Sequence, residues 1–131
     1  MSAATNGPAL HLTLPMPPSA NHSHHNVTMN GRLLRVPSKQ SKAWRQETIV
    51  ICTDAMTRAG WTKPRQTKCV MELTIWWRDR RRRDADNLIK GIQDAIQAAG
   101  VIDDDRWLLP RVVDFSYDKE KPRVEVVVRR A

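Results

Sequence analysis

One stretch of the sequence restricts the fold more than any other. Between positions 88 and 99 the apolar residues recur at i, i+3, i+4 and i+7, which is the period of one helix face. These residues are Leu88, Ile89, Ile92, Ala95, Ile96 and Ala99. Gly100 then suits the left-handed end of a helix. Because a helix with one apolar face is stable only when that face is covered, the chain must also provide a layer for it to pack against.

Strand-like segments supply that layer. Four segments show the alternation or the β-branched and aromatic content of strands, at residues 10–14, 67–77, 108–117 and 123–128. A second helix is predicted from Ser38, a suitable N-cap, to about Ala59, with Gly60 as its end. The order βαβαββ predicts an α+β fold, in which a mixed or antiparallel sheet of about four strands carries two main helices packed on one face.

Length and composition indicate one soluble domain. The 131 residues suit a single core, so we expect residues 8–131 to form one domain and the small, polar residues 1–7 to be disordered. No apolar run approaches the roughly 20 residues of a membrane helix. The N-terminal residues do not show the basic segment followed by an apolar one that is typical of a secretion signal. Cys52 and Cys69 lie in apolar segments without the spacing of a metal site, which favours reduced thiols in the cytoplasm.

The charge balance points to an anionic partner. Lys and Arg number 22 against 14 Asp and Glu, which gives a formal net charge of +8. Each phosphate that such side chains neutralise releases counterions, so nucleic acid is favoured over an anionic membrane surface. Charge alone does not distinguish a protein that binds nucleic acid from one that cuts it. That distinction depends on the carboxylates.

A polar loop runs from about Ser19 to Pro37, with a short hairpin predicted at Asn30 and Gly31. Its histidines are His22, His24 and His25. A Zn²⁺ site would require further ligands that this loop does not provide. The pattern therefore favours exposed histidines over a contact with phosphate or a base, and favours both over a zinc site.

Two acidic groups flank the predicted helix at 88–99. Asp84 and Asp86 stand at its start, where free N–H groups favour carboxylates, and capping explains one of them better than both. The second group follows the helix and consists of Asp103, Asp104 and Asp105. The two groups would meet if the strand after the second lay beside the strand before the first. Carboxylates held together need a cation, and oxygen ligands without Cys or His select Mg²⁺, with Mn²⁺ as a substitute.

Lys90 and Asn87 extend the first acidic group along the helix. Lys90 lies one turn after Asp86 and one turn before Asp94, so it either forms a surface ion pair or assists catalysis. In the catalytic interpretation it stabilises a phosphoryl transition state or orients a water molecule, while Asn87 anchors a ligand or the backbone. Since Mg²⁺ keeps bound waters that can act as nucleophiles, the predicted reaction class is phosphodiester hydrolysis.

An arginine run directly precedes the first acidic group and consists of Arg80, Arg81, Arg82 and Arg83. Such a run is either solvated surface or a clamp for phosphates. A protein that only binds nucleic acid gains nothing from aspartates beside its arginines, because the aspartates weaken the attraction. In a metal-dependent nuclease the arginines hold the DNA backbone while the aspartates hold the ion.

The arginine run and both acidic groups closely resemble the RusA family of Holliday junction resolvases, which is common in prophages. The matching residues are Arg80 to Leu88, Lys90, Asp94, Ala95, Gly100, Asp104 and Asp105. The N-terminal segment is similar as well, since it places Leu14-Pro15, Pro17-Pro18-Ser19 and Asn21 where the family has its first strand and a Pro-Pro-Ser loop. The resemblance extends through most of the chain.

The resemblance implies a role for each of these residues. The catalytic and metal-binding carboxylates would be Asp84, Asp86 and Asp105. Lys90 would be the essential lysine, with Asp104 and Asn87 in support. The additional Asp103 leaves the choice among the three consecutive aspartates open. The DNA contacts would be made by Asn21, Arg80, Arg81, Arg82 and Arg83.

We therefore expect a Mg²⁺-dependent, structure-selective endodeoxyribonuclease that resolves four-way DNA junctions. The resemblance also implies a homodimer, and a two-fold dimer supplies the two active sites that paired cuts require. Two alternatives remain open. One is a basic DNA- or RNA-binding regulator whose aspartates only cap a helix, and the other is a nuclease that acts on flaps, replication forks or RNA.

Overall fold

The computed structural model describes residues 8–18, 24–81 and 83–131, so the predicted disordered segment 1–7 lies outside the described residues. The strands are β1 (Leu10–Pro15), β2 (His24–Met29), β3 (Arg32–Pro37), β4 (Cys69–Trp77), β5 (Leu108–Tyr117) and β6 (Arg123–Arg130). The helices are α1 (Lys39–Ala59) and α2 (Ala85–Ala98), and a 3₁₀ turn covers Asp105–Trp107. Within these described ranges, no helix combines the length and hydrophobicity needed to span a bilayer.

Four strands form one mixed sheet in the order β1-β6-β4-β5. Strand β6 pairs antiparallel with β1 and with β4, whereas β4 and β5 run parallel. A parallel pair needs a crossover connection, and α2 is the helix within that connection. The prediction of an α+β fold with a mixed sheet of about four strands and two main helices is confirmed.

Strands β2 and β3 form a separate two-stranded sheet, and the turn between them confirms the predicted hairpin. Asn30 and Gly31 have φ angles of 54° and 77°. Both central residues of a type I′ turn need positive φ, which asparagine and glycine adopt more readily than other residues. The described part of the polar loop is therefore mostly regular structure.

Helix α1 begins and ends at the predicted residues. The Oγ of Ser38 accepts a hydrogen bond from the N–H of Ser41 at 3.1 Å, and Gly60 ends the helix with φ of 63°. The indole Nε1 of Trp44 donates to the backbone oxygen of Pro15 at 2.7 Å. This hydrogen bond fixes α1 against the end of β1.

One hydrophobic core lies between the sheet and the two helices. Alternate residues of the strands point into it, among them Leu12, Leu73 and Val126. Helix α2 contributes four residues of its apolar stripe, namely Leu88, Ile92, Ala95 and Ile96. Because residues from all four strands and both helices belong to this cluster, the helices cover the same face of the sheet.

Both cysteines are buried free thiols, as the sequence predicts. The side chain of Cys52 has no exposed surface, and burial raises the pKa of its thiol to about 11. Burial also raises the pKa of Cys69. Since the thiolate is the reactive form of cysteine, the fold protects both side chains from oxidation and alkylation.

Strand β5 is an edge strand with an exposed apolar surface. Val112, Val113 and Phe115 are 39%, 55% and 57% exposed. The pairing with β4 skips Val113, which therefore forms a β-bulge. The register places Val112 and Phe115 beside the buried Leu73 and Ile75, on the face that carries the helices. The helix layer thus leaves an apolar row of β5 uncovered.

Candidate active site

The loop of residues 78–84 joins β4 to α2 and leads directly into the first acidic group. Asp84 is the N-cap of α2, and its Oδ1 accepts a hydrogen bond from the N–H of Asp86 at 3.0 Å. The capping interpretation therefore holds for Asp84. Asp86 follows in the first turn, and both side chains are exposed. The N-terminus of a helix stabilises negative charge, which allows two carboxylates to stand close together at this surface.

Lys90 lies on the exposed side of α2, one turn after Asp86. The ion-pair interpretation requires a contact with Asp86 or Asp94, and neither contact within 4.0 Å occurs in the part of the chain that the structure describes. The ammonium group is therefore available to another anion. Asn87 is exposed as well, so an open polar surface extends from the start of the helix.

The second acidic group surrounds the 3₁₀ turn that precedes β5. The Oδ2 of Asp103 accepts a hydrogen bond from the N–H of Gln66 at 3.1 Å, and the Oδ1 of Asp104 accepts a backbone hydrogen bond within the turn at 3.0 Å. Both carboxylates therefore have local structural roles. Asp105 is held through its backbone, because its N–H donates to the Oε1 of Gln97 at 3.1 Å. Among the residues that the structure describes, none forms a hydrogen bond or ion pair with the Asp105 carboxylate, which leaves it open to a ligand.

The two acidic groups lie at opposite ends of α2. Because β5 runs parallel to β4, the residues before β5 lie near the start of β4, whereas the loop of residues 78–84 follows the end of β4. Asp86 and Gln97, the residue that holds Asp105, are separated by roughly 16 Å along the helix axis. Among the described residues, no three His, Cys, Asp or Glu side chains are placed to hold a metal ion. The two groups therefore do not meet within one chain, although β5 lies beside β4 as the prediction required.

The arginines before Asp84 differ in their surroundings. The Nη1 of Arg83 lies 2.7 Å from the Oδ1 of Asp79 and donates to the backbone oxygens of Asp79 and Arg81 at 3.1 and 3.2 Å. The N–H of Arg81 also donates to the Oδ1 of Asp79, at 3.0 Å. The hydrogen bond from Arg83, followed by the one from Arg81, lowers the pKa of Asp79 to about 2. Arg82 lies outside the described residues.

Aromatic rings line the same end of the sheet, and arginines stack on them. The guanidinium of Arg80 lies 4.3 Å from the ring centre of Tyr117, and that of Arg83 lies 5.4 Å from Trp77. Tyr117 in turn meets Phe115 edge to face, with ring centres 6.3 Å apart. Stacking orients a guanidinium while its N–H groups stay free to bind. Arg80 is exposed, so its geometry suits the predicted contact with a phosphate.

These features occur within one region that matches a known family. Residues 15–129 match the family model described as Endodeoxyribonuclease RusA. The chain belongs to the RusA family. The RusA match includes the arginine loop, α2 and both acidic groups, and it confirms the family membership that the sequence motifs indicate.

Named RusA relatives agree with this assignment. The crossover junction endodeoxyribonuclease of Enterobacteria phage 82 is 36% identical over 105 residues, which are 80% of this chain and 78% of the relative. The crossover junction endodeoxyribonuclease RusA of Escherichia coli strain K12 is 36% identical over 105 residues, with 79% and 77% of the two chains covered. The RusA protein of Shigella sonnei is 36% identical over 104 residues, with the same coverage.

The structure places the acidic residues, Asn87 and Lys90 of the predicted RusA site at the two ends of α2. Asp84 is the N-cap of α2, and the first half of the helix carries Asp86, Asn87 and Lys90. Asp104 and Asp105 lie at the other end of the helix. Asn21 and His22 lie outside the described residues, like Arg82, while His24 and His25 are in β2.

Asp79 belongs to the RusA-like loop but receives no role from the sequence pattern. The one sequence signal for its contact with Arg83 is the spacing, an aspartate four residues before an arginine. This spacing is not specific, because many exposed ion pairs on helices share it. Nothing in the sequence shows that the two side chains meet within a loop. Tyr117 and Phe115 join the site because β5 runs parallel to β4, and the sequence does not show that direction either.

Proposed function

We propose that the protein is a Holliday junction resolvase, a homodimeric, Mg²⁺-dependent endodeoxyribonuclease that hydrolyses phosphodiester bonds in four-way DNA junctions. The observation that carries this proposal is the exposed Asp84 and Asp86 pair, placed directly after an arginine loop in a chain of the RusA family. The relatives bear the name crossover junction endodeoxyribonuclease. A protein that only binds nucleic acid has no electrostatic use for that pair, since the carboxylates weaken the attraction to phosphates.

The carboxylates have the chemistry of a Mg²⁺ site. Asp84 uses one oxygen to cap α2 and keeps the other, and Asp86 is exposed beside it. Oxygen ligands without thiolate or imidazole select hard ions such as Mg²⁺ and Mn²⁺. When bound, the ion offsets charge on a phosphoryl oxygen and lowers the pKa of a bound water. Lys90, one turn further along α2, would stabilise the negative charge that develops on the same phosphate.

The first test removes the charges of the pair. Asp84→Asn combined with Asp86→Asn keeps side chains that can cap a helix, so α2 should stay folded. We expect a synthetic four-way junction to be bound at least as tightly as by the wild type, because the site loses two negative charges, and to remain uncut. Unchanged cleavage would remove the pair from the site and leave a basic binding protein. The wild-type protein is assayed on flaps and replication forks as well. If it cleaves them as fast as the four-way junction, the proposed selectivity for four-way junctions is wrong.

The uncovered row on β5 supports a homodimer. Val112, Val113 and Phe115 form an exposed apolar surface, and such surfaces commonly mark protein interfaces. A second copy is the occupant that paired cuts across a symmetric junction require. Val112→Glu should therefore yield monomers in sedimentation experiments, whereas Val50→Glu, at an exposed valine of α1, should not. A stable Val112→Glu dimer would place the interface elsewhere.

The second copy would also complete the metal site. Within one chain Asp105 stands at the far end of α2 from Asp84 and Asp86. Two carboxylates alone would leave the ion weakly held, and Asp105 is the remaining acidic residue of the predicted set. We therefore expect Asp105 of the partner subunit to join the pair, and the symmetry of a homodimer makes this exchange reciprocal.

Mixed dimers test the shared site. One chain carries Asp84→Asn with Asp86→Asn, the other carries Asp105→Asn, and each variant should be inactive as a homodimer. If the sites are shared, the mixed dimer contains one intact site, so it nicks the junction and binds Mn²⁺ at that site. If each chain builds its own site, the mixed dimer stays inactive and the shared-site proposal is wrong.

A further inference from the structure

Asp79 and Arg83 fix the loop that enters the proposed site. The Oδ1 of Asp79 accepts the N–H of Arg81 at 3.0 Å and lies 2.7 Å from the Nη1 of Arg83. The same Nη1 reaches the backbone oxygens of residues 79 and 81, and the guanidinium packs 5.4 Å from the ring centre of Trp77. One carboxylate and one guanidinium thus tie the end of β4 to the residue immediately before Asp84.

These contacts make Arg83 poorly suited to bind a phosphate directly. Its side chain is 24% exposed, compared with 65% for Arg78 at the start of the same loop. The carboxylate of Asp79 offsets its charge at 2.7 Å and also lies 3.8 Å from the Nε of Arg78, and the Nη1 of Arg83 already has three oxygen neighbours. A clamp for the DNA backbone needs free N–H groups and uncompensated positive charge. Arg83 is therefore placed to hold the loop rather than the DNA, unlike the exposed Arg80.

We propose that Asp79 is a positioning residue of the nuclease site and that it acts through Arg83 on Asp84. This inference rests on the proposed function. Asp84 follows Arg83 directly and caps α2, so a change in the direction of the loop moves the Asp84 carboxylate and the start of the helix. Asp79 itself touches neither the ion nor the DNA in this role.

Asp79→Asn separates positioning from DNA contact, because the two roles predict different results. If Asp79 positions the loop, the substitution lowers kcat for junction cleavage by about 10- to 100-fold, the loss expected when a catalytic group moves by about 1 Å. Mn²⁺ binding weakens in parallel, and the Kd for the junction does not rise. If Arg83 contacts DNA and Asp79 only restrains it, Asp79→Asn frees the guanidinium, tightens binding and leaves kcat unchanged. That second result would overturn the proposal.

Asp54 provides a matched control. It forms another i, i+4 aspartate–arginine ion pair, with Arg58 at 3.1 Å, on the exposed surface of α1. Asp54→Asn makes the same change of charge outside the loop, so kcat, Mn²⁺ binding and junction binding should match those of the wild type. An equal fall of kcat in Asp54→Asn and Asp79→Asn would show that the effect comes from net charge and would contradict the positioning role.

Arg83→Lys gives a second, independent variant. Lysine keeps the positive charge but lacks the planar guanidinium that spans the carboxylate and the backbone oxygens. We expect kcat to fall as in Asp79→Asn, with the junction still bound. Full activity in Arg83→Lys would show that charge alone is sufficient, and the positioning argument would fail.

Hydrogen exchange tests, without any cleavage assay, whether the loop holds the start of α2 in place. The backbone N–H of Asp86 donates a hydrogen bond to the Asp84 carboxylate. This N–H should exchange faster in Asp79→Asn than in Asp54→Asn. Unchanged exchange would overturn the structural part of the inference. A wild-type protein that cuts no junction would instead overturn the proposed function, so the two failures are distinguishable.

Discussion

Gly91 lies in the middle of α2, where glycine is unfavourable. A Cβ atom added at this position would meet no atom within 4 Å in the part of the chain that the structure describes. Glycine in a helix interior costs about 0.5–1 kcal/mol relative to alanine, because its unfolded backbone has more freedom to lose. Gly91→Ala should therefore raise the free energy of unfolding by about that amount. The added methyl group displaces nothing, so no steric term opposes the gain.

Urea unfolding measures this effect. The midpoint for Gly91→Ala should shift to higher urea with an unchanged slope, and Tm should rise by roughly 2–6 °C. Gly100→Ala is the matched control, since a Cβ at Gly100 also meets nothing within 4 Å but the residue has φ of 82°. Alanine is strained at that φ, so Gly100→Ala should destabilise the protein. Because neither added Cβ atom meets a neighbour, the difference in stability between the two variants reports the effect of backbone conformation alone.

A lower midpoint for Gly91→Ala would refute this reasoning. It would mean that another group approaches the helix at Gly91 in solution, and a loss that grows with protein concentration would identify that group as a second copy. An unchanged midpoint would also contradict the argument, because the difference in helix propensity between glycine and alanine would then be absent.

Three further predictions concern stability, pH and reactivity. Ile92→Ala removes a fully buried side chain of α2 and should lower the free energy of unfolding by about 2–5 kcal/mol in urea titrations, and a loss below 1 kcal/mol would contradict its place in the core. Asp79 has its pKa lowered from 3.8 to about 2, so its contribution is complete above the unfolded value and is lost as the pH falls from 3.8 to about 2. Acid titration of Asp79→Asn should therefore show a smaller loss of stability over this range, and an equal loss would argue against the Arg83 contact. Cys52, with a pKa of about 11, should resist iodoacetamide at neutral pH until the protein unfolds, whereas rapid labelling of the native protein would disprove its burial.

Local signals account for most of the fold. Several features depend on only a few neighbouring residues, so the sequence shows them directly. They are the apolar stripe of α2, the N-cap at Ser38, the end of α1 at Gly60 and the turn at Asn30 and Gly31. The direction of β5 is different. Whether a strand runs parallel or antiparallel to its neighbour depends on the path of the whole connection, and no short pattern within β5 records it.

The candidate site divides in the same way. Asp84, Asp86 and Lys90 are predictable together, because capping and helical spacing place them near one another on α2. The separation of Asp105 from this pair follows from the length of α2, which the sequence predicts, and from the parallel direction of β5, which the sequence does not show. The contact between Asp79 and Arg83 depends on the fold of a short loop, for which residue spacing gives no geometry.

The irregular backbone of β5 also affects how the protein behaves in concentrated solution. Pro110 offers no N–H to an incoming strand, and the bulge at Val113 interrupts the even spacing of the backbone groups. Arg111 and Asp114 add charges to the same rim. The strand can therefore expose apolar side chains to a partner without serving as a template for fibril growth.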